Sequence, residues 1–138
     1  MMVQGGIKLG QPIIYLFEKM KEEQVEDIRK TAVDHIVVDA HRETPQIIKD
    51  DIEIMLGWDK ELGQYLLDSE TSRLKWVQSI SAGVDYYDLD RFAEKGILLS
   101  NASGIHSVSI SEHVLGVLFA AFRGIRTSII NQTNRIWS

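Results

Sequence analysis

The sequence predicts an α/β domain with a parallel five-stranded sheet, and three observations carry that reading. Short runs of apolar residues recur along the first hundred positions. Between them lie stretches in which apolar residues fall at helical spacing among charges. The 138 residues, 44% hydrophobic and 25% charged, suit one ordinary globular core.

Ile13 to Phe17 is a continuous apolar run, as expected of a strand buried on both faces. Residues 19–32 carry Met20, Val25, Ile28 and Ala32 among charges, one apolar stripe on a charged helix. His35 to Ala40 reads as a second strand. Thr44 and Pro45 suit a helix N-cap and first helical position, with the helix running through Ile47 and Ile48 toward Asp50. Residues 52–58 form a third strand, and Leu62, Tyr65 and Leu66 mark a helix within 59–70. Residues 74–81 read as a fourth strand. A short helix over 86–96 ends at Gly96, and 97–101 is a fifth strand. One long helix follows from about Ser107 to Arg126.

Strands alternating with helices imply right-handed crossovers and a sheet covered on both faces. The rhythm is that of a flavodoxin-like doubly wound domain. Ligands of such sheets bind beyond the carboxyl ends of the strands.

Net charge is −5, which argues against a nucleic-acid surface. The absence of cysteine excludes disulfides and thiolate metal sites. It accords with a cytoplasmic location. The four histidines show no metal-ligand spacing, so no metal site is expected. The longest apolar run, Val114 to Phe122, is far shorter than the roughly 20 residues of a membrane span. After His113 there are three arginines and no acid. A helix that is apolar on every side must be buried on every side, so this one asks for a second layer of protein.

The fourth strand ends in Ser81-Ala82-Gly83-Val84-Asp85. Small side chains there permit a nest of backbone amides that holds a carboxylate. They equally suit an ordinary strand-to-helix turn. On the first reading Asp85 is structural, bonding local backbone and capping the next helix. Ser109-Ile110-Ser111-Glu112 fits a capping box in which Ser109 and Glu112 exchange bonds with each other's backbone amides.

Residues 74–125 resemble the D-isomer-specific 2-hydroxyacid dehydrogenases. The resemblance rests on Gly83-Val84-Asp85, Asp88-Leu89-Asp90, Lys95-Gly96-Ile97, Asn101, Gly104-Ile105-His106, Glu112-His113 and Arg123. Ser111 stands where the family usually has Ala. Residues 11–73 match only in their strand–helix rhythm. The resemblance implies a substrate-binding domain over 1–104. Residues 105–138 would then be a long interdomain helix and linker leading to a Rossmann NAD(P)-binding domain beyond residue 138. The missing G-x-G-x-x-G and the family's catalytic Arg, Glu and His would lie there too, leaving no catalytic residue in this chain. The resemblance also implies that the amides of Ala82 and Gly83 bind the carboxylate of a small 2-hydroxy or 2-oxo acid. Gly57 would line the substrate side, and Ile110 would pack near the nicotinamide of NAD or NADP. By itself the chain would be inactive, would bind no cofactor, and would form a homo-oligomer through helix 109–126. The alternative is a free-standing flavodoxin-like binding or regulatory module without catalysis.

Overall fold

A computed structural model describes residues 10–42 and 48–137. The chain divides into two compact units, Met1–Ala102 and Ser103–Ser138.

The first unit is an α/β sandwich. Its five strands are β1 (Ile13–Leu16), β2 (Ile36–Asp39), β3 (Ile52–Leu56), β4 (Trp76–Gln78) and β5 (Leu98–Ser100). They run parallel in the order β2-β1-β3-β4-β5. This is the doubly wound, flavodoxin-like order. The fourth strand is shorter than the 74–81 expected: it spans Trp76–Gln78, with the Ser79 amide making a last bond to the Ser100 carbonyl at 2.8 Å.

Each face of the sheet has its own core. Helix α1 (Glu22–Thr31) places Val25 on Ile14, Leu16 and Val37, with Met20, Ile28 and Ala32 at the margin. Helices α2 (Lys60–Asp68) and α3 (Leu89–Glu94) cover the opposite face, where Leu62, Leu66, Leu67 and Phe92 join Ile13, Ile52, Met55 and Val77. Asp59 caps α2 by accepting from the amides of Glu61 and Leu62, both at 3.1 Å. The Trp58 indole lies so close to Gly63 that a Cβ there would collide with its ring. The helix expected from Thr44 lies largely outside the described residues. What is seen beyond it is a short 3₁₀ turn, Lys49–Asp51.

At the amino end of the sheet the buried Glu53 carboxylate accepts from Arg73 at 2.5 Å and Lys75 at 2.7 Å, with His35 at 3.9 Å. Burial opposes its ionisation. The Lys75 hydrogen bond and the charges of Lys75, Arg73 and His35 together outweigh that and hold it below the usual carboxylate range.

The second unit is helical. The expected single helix is instead two, α4 (Ser107–Phe122) and α5 (Ile125–Thr133), bent by 62°. The break is at Gly124, whose φ of +64° is the left-handed conformation that ends helices. Neither helix buries a residue. Among the described residues no single helix is long and apolar enough to cross a membrane.

Candidate functional site

In a parallel sheet the loops that leave the carboxyl ends of neighbouring strands gather on one edge. Here β1, β3 and β4 are neighbours, and backbone bonds extend the alignment past their ends. The Phe17 amide donates to the Leu56 carbonyl and the Gly57 amide to the Gln78 carbonyl, each at 2.9 Å. Glu18, Gly57 and the segment 79–83 therefore follow one another along the edge.

The loop after β4 is fixed through its carbonyls. Ser81 O accepts from the Ala102 amide at 3.0 Å, and Ala82 O from Asn101 Nδ2 at 3.1 Å. Gly83 O accepts from Ser81 Oγ at 2.9 Å. The amides of Ala82 and Gly83 find no hydrogen-bond partner among the described residues, and both residues are exposed. A loop whose carbonyls are tied down and whose consecutive amides are left open is suited to receive an anion.

A hydroxyl network lies beneath it. Ser79 is wholly buried, and its Oγ lies 3.0 Å from the Tyr86 hydroxyl. That hydroxyl is 2.6 Å from Ser81 Oγ. Hydrogen bonds from Ser79 and then Ser81 to the ionised form hold the Tyr86 phenol below its ordinary value. Tyr87 is its opposite. It is 6% exposed, ringed by Trp58, Tyr86 and Phe92 at centroid distances of 5.1, 4.4 and 5.7 Å. Among the described residues its hydroxyl is buried without a partner, and burial above all pushes it up to about 12.

Gly57 has φ +81°, and Glu18 fills the space a side chain would need. A Cβ on Gly57 would stand 2.5 Å from Glu18 Cγ and 3.0 Å from its Oε1.

Three residues expected to be structural are placed differently. Asp85 is exposed and takes no hydrogen bond among the described residues. The cap of α3 is Asp88, which accepts from the Arg91 amide at 3.2 Å. Ser109 and Glu112 form no capping box. The helix begins at Ser107, so both lie inside its first two turns, where a capping serine has no orphan amide to reach. Ser107 Oγ instead donates to Gly104 O at 2.8 Å. Ile110 lies in the first turn of α4 and is 60% exposed. In this unit an open groove along α5 is lined by Arg123, Thr127, Asn131 and Arg135.

Sequence reasoning missed Tyr86, Ser79 and Glu18. The two tyrosines read as helix, and nothing in their spacing announced that the loop would fold the first back onto Ser79. Among the described residues no three carboxylate or imidazole side chains gather as metal ligands would.

The model of the D-isomer specific 2-hydroxyacid dehydrogenase catalytic domain matches residues 14–135. An erythronate-4-phosphate dehydrogenase of Shewanella loihica is 26% identical over 98 residues, covering 71% of this chain and 26% of that protein. The crystal structure of a phosphoglycerate dehydrogenase from Lactobacillus plantarum superposes with a TM-score of 0.63 at 35% identity, covering 91% of this chain and 40% of that one. An NAD-dependent formate dehydrogenase from Staphylococcus aureus, solved with NAD, shares the fold at 16% identity and a TM-score of 0.50. The chain thus spans less than half the length of these relatives.

Proposed function

The chain belongs to the D-isomer-specific 2-hydroxyacid dehydrogenases, and from that premise we propose that its strand-end loop holds the carboxylate of a small 2-hydroxy or 2-oxo acid. The whole enzyme would interconvert the two using NAD or NADP. The observation that carries the reading is the pair of unengaged amides at Ala82 and Gly83, on a loop whose three carbonyls are all bonded. Two amides aimed at one carboxylate give charge-assisted bonds, stronger than neutral ones. Small side chains let the ligand reach them, and Gly57 would line the same edge.

The domain division we infer is a substrate-binding part over 1–104 and an interdomain helix and linker from 105 onward. The 138 residues carry no G-x-G-x-x-G turn, so they provide no cradle for a dinucleotide's phosphates. Ile110 offers an apolar side chain only, which suits contact with a nicotinamide ring but not cofactor binding by itself. When bound, NAD or NADP would supply the hydride acceptor or donor. The residues described here orient the acid. The chain's part in the reaction is therefore binding rather than proton transfer, and the isolated chain should be inactive.

The exposed apolar side chains of α4 support a part of a larger assembly over a free-standing module. Val114, Leu115, Val117, Leu118 and Phe119 are all exposed. Contiguous surfaces of this kind mark interaction sites. In isolation, copies of the chain would associate through the exposed apolar side chains of α4.

The test of the cradle is an amide-resolved NMR titration of the chain with D-glycerate and with its uncharged amide. The Ala82 and Gly83 resonances should shift together with the acid and stay still with the amide. If neither responds at tens of millimolar acid, the cradle is wrong.

A further inference from the structure

We infer that Glu18 restricts this site to hydroxy acids whose carboxylate is their only anionic group and disfavours phosphorylated ones. The inference rests on the carboxylate cradle proposed above and concerns what can lie beside it.

Glu18 follows β1, and Gly57 follows β3 next to it. Because Gly57 has no side chain, the Glu18 carboxylate settles against the end of β3, with Oε1 only 3.0 Å from where a Cβ would be. The next strand along the sheet is β4, whose loop carries the open amides. Among the described residues Glu18 forms no ion pair and no hydrogen bond, so no cation offsets its charge. That charge reaches the hydroxyl network under the cradle. It opposes ionisation of both Tyr86 and Tyr87, though as the smallest of the influences on each.

A ligand held by the Ala82 and Gly83 amides has its carboxylate at β4. If the rest of the molecule extends along the strand ends toward β3 and β1, it meets Glu18. A phosphate there brings nearly two negative charges against an unpaired carboxylate, and partial screening by solvent still leaves a penalty of about tenfold in affinity or more. A hydroxyl at the same place donates to that carboxylate instead. The site therefore favours a short acid with further hydroxyl groups.

The chain should be titrated with D-glycerate and with D-3-phosphoglycerate, as wild type and as Glu18→Gln, following the Ala82 and Gly83 amides. Glu18→Gln keeps the shape of the side chain and removes its charge, and unchanged resonances elsewhere establish that the fold is kept. Wild type should bind glycerate about tenfold or more tighter than phosphoglycerate. Glu18→Gln should tighten phosphoglycerate about tenfold and leave glycerate within about twofold. If wild type prefers phosphoglycerate, or the substitution leaves the ratio unchanged while the amides still respond, the role of Glu18 is overturned and the cradle stands. If the amides respond to neither acid, the cradle falls and this inference falls with it.

Discussion

In the α/β unit Ile13, Ile52, Met55 and Leu66 have no exposed surface, whereas α4 and α5 bury no residue at all. Both segments are comparably apolar in sequence, so composition alone does not decide burial. In the α/β unit each helix carries one apolar stripe and the sheet offers a matching face. Val25 on α1 and Leu66 on α2 meet opposite sides of the same strands. Helix α4 has apolar side chains all round, and no single surface can cover them. Each such side chain left in water forgoes about 1.5–3 kcal/mol relative to full burial. The difference is that the first unit buries its apolar side chains in a core, whereas the second leaves them exposed.

The largest expected effect separates the two units directly. Leu66→Ala empties a wholly buried site and should cost about 2–5 kcal/mol in denaturant unfolding. Phe122→Ala removes a larger side chain, but one that is 81% exposed, and should stay within about 0.5 kcal/mol. Sedimentation should show the reverse sensitivity. Replacing Leu115 and Phe119 by Glu, one turn apart on α4, should convert associated chains to monomers and make the unfolding midpoint independent of protein concentration. Equal stability losses from Leu66→Ala and Phe122→Ala would erase the comparison.

A smaller effect tests how the α/β unit keeps a charge in its core. Glu53 is buried, but Lys75 is largely exposed and Arg73 partly so, so solvent screens part of their attraction. The folded carboxyl titrates below its unfolded counterpart, whose value is about 4.3. Its stabilisation is therefore complete above that unfolded value. It is lost as pH falls through the depressed folded one. Denaturant unfolding between pH 7 and 3 should show wild type losing stability on acidification more steeply than Glu53→Gln. Parallel curves would mean the cluster contributes nothing that depends on ionisation.

How much of this was legible in the sequence follows the same division. Strand positions and the site's edge could be read because buried parallel strands leave continuous apolar runs, and because Ser81-Ala82-Gly83 thins the side chains where a strand ends. The 62° bend was hidden because apolar residues continue on both sides of it. The Arg123-Gly124 pair was its signal, a glycine placed where a helix C-terminus needs the left-handed conformation. The capping box failed for a related reason. S-x-x-E also occurs inside helices, and Gly104 and Ser107 had already begun this one. The tie between Tyr86 and Ser79 depends on a loop path that spacing does not encode, and Glu18 reaches Gly57 across 39 positions of chain.

The smallest expected effect concerns two aspartates three residues apart. The sequence pattern favours Asp85 as the structural one, since it closes the Gly-Val-Asp turn. The structure gives the bond to Asp88, which accepts from the Arg91 amide and caps α3. Asp85 stands exposed, with its Oδ2 merely in contact range of a side chain at Gly83, 3.6 Å from where a Cβ would be. Removing a capping carboxylate leaves an orphan amide at a helix start, so Asp88→Ala should cost about 1 kcal/mol. Asp85→Ala removes a solvated charge and should cost less than about 0.5 kcal/mol. The two variants, unfolded side by side in urea, sharpen the comparison from within the stable unit. Asp88 acts there through a bond to the fold, whereas Asp85 would act only through its charge beside the open amides. Asp85→Ala should then strengthen rather than weaken acid binding at Ala82 and Gly83, by removing like charge from their neighbourhood. A stability loss as large as that of Asp88→Ala would return Asp85 to the structural role its sequence position suggests.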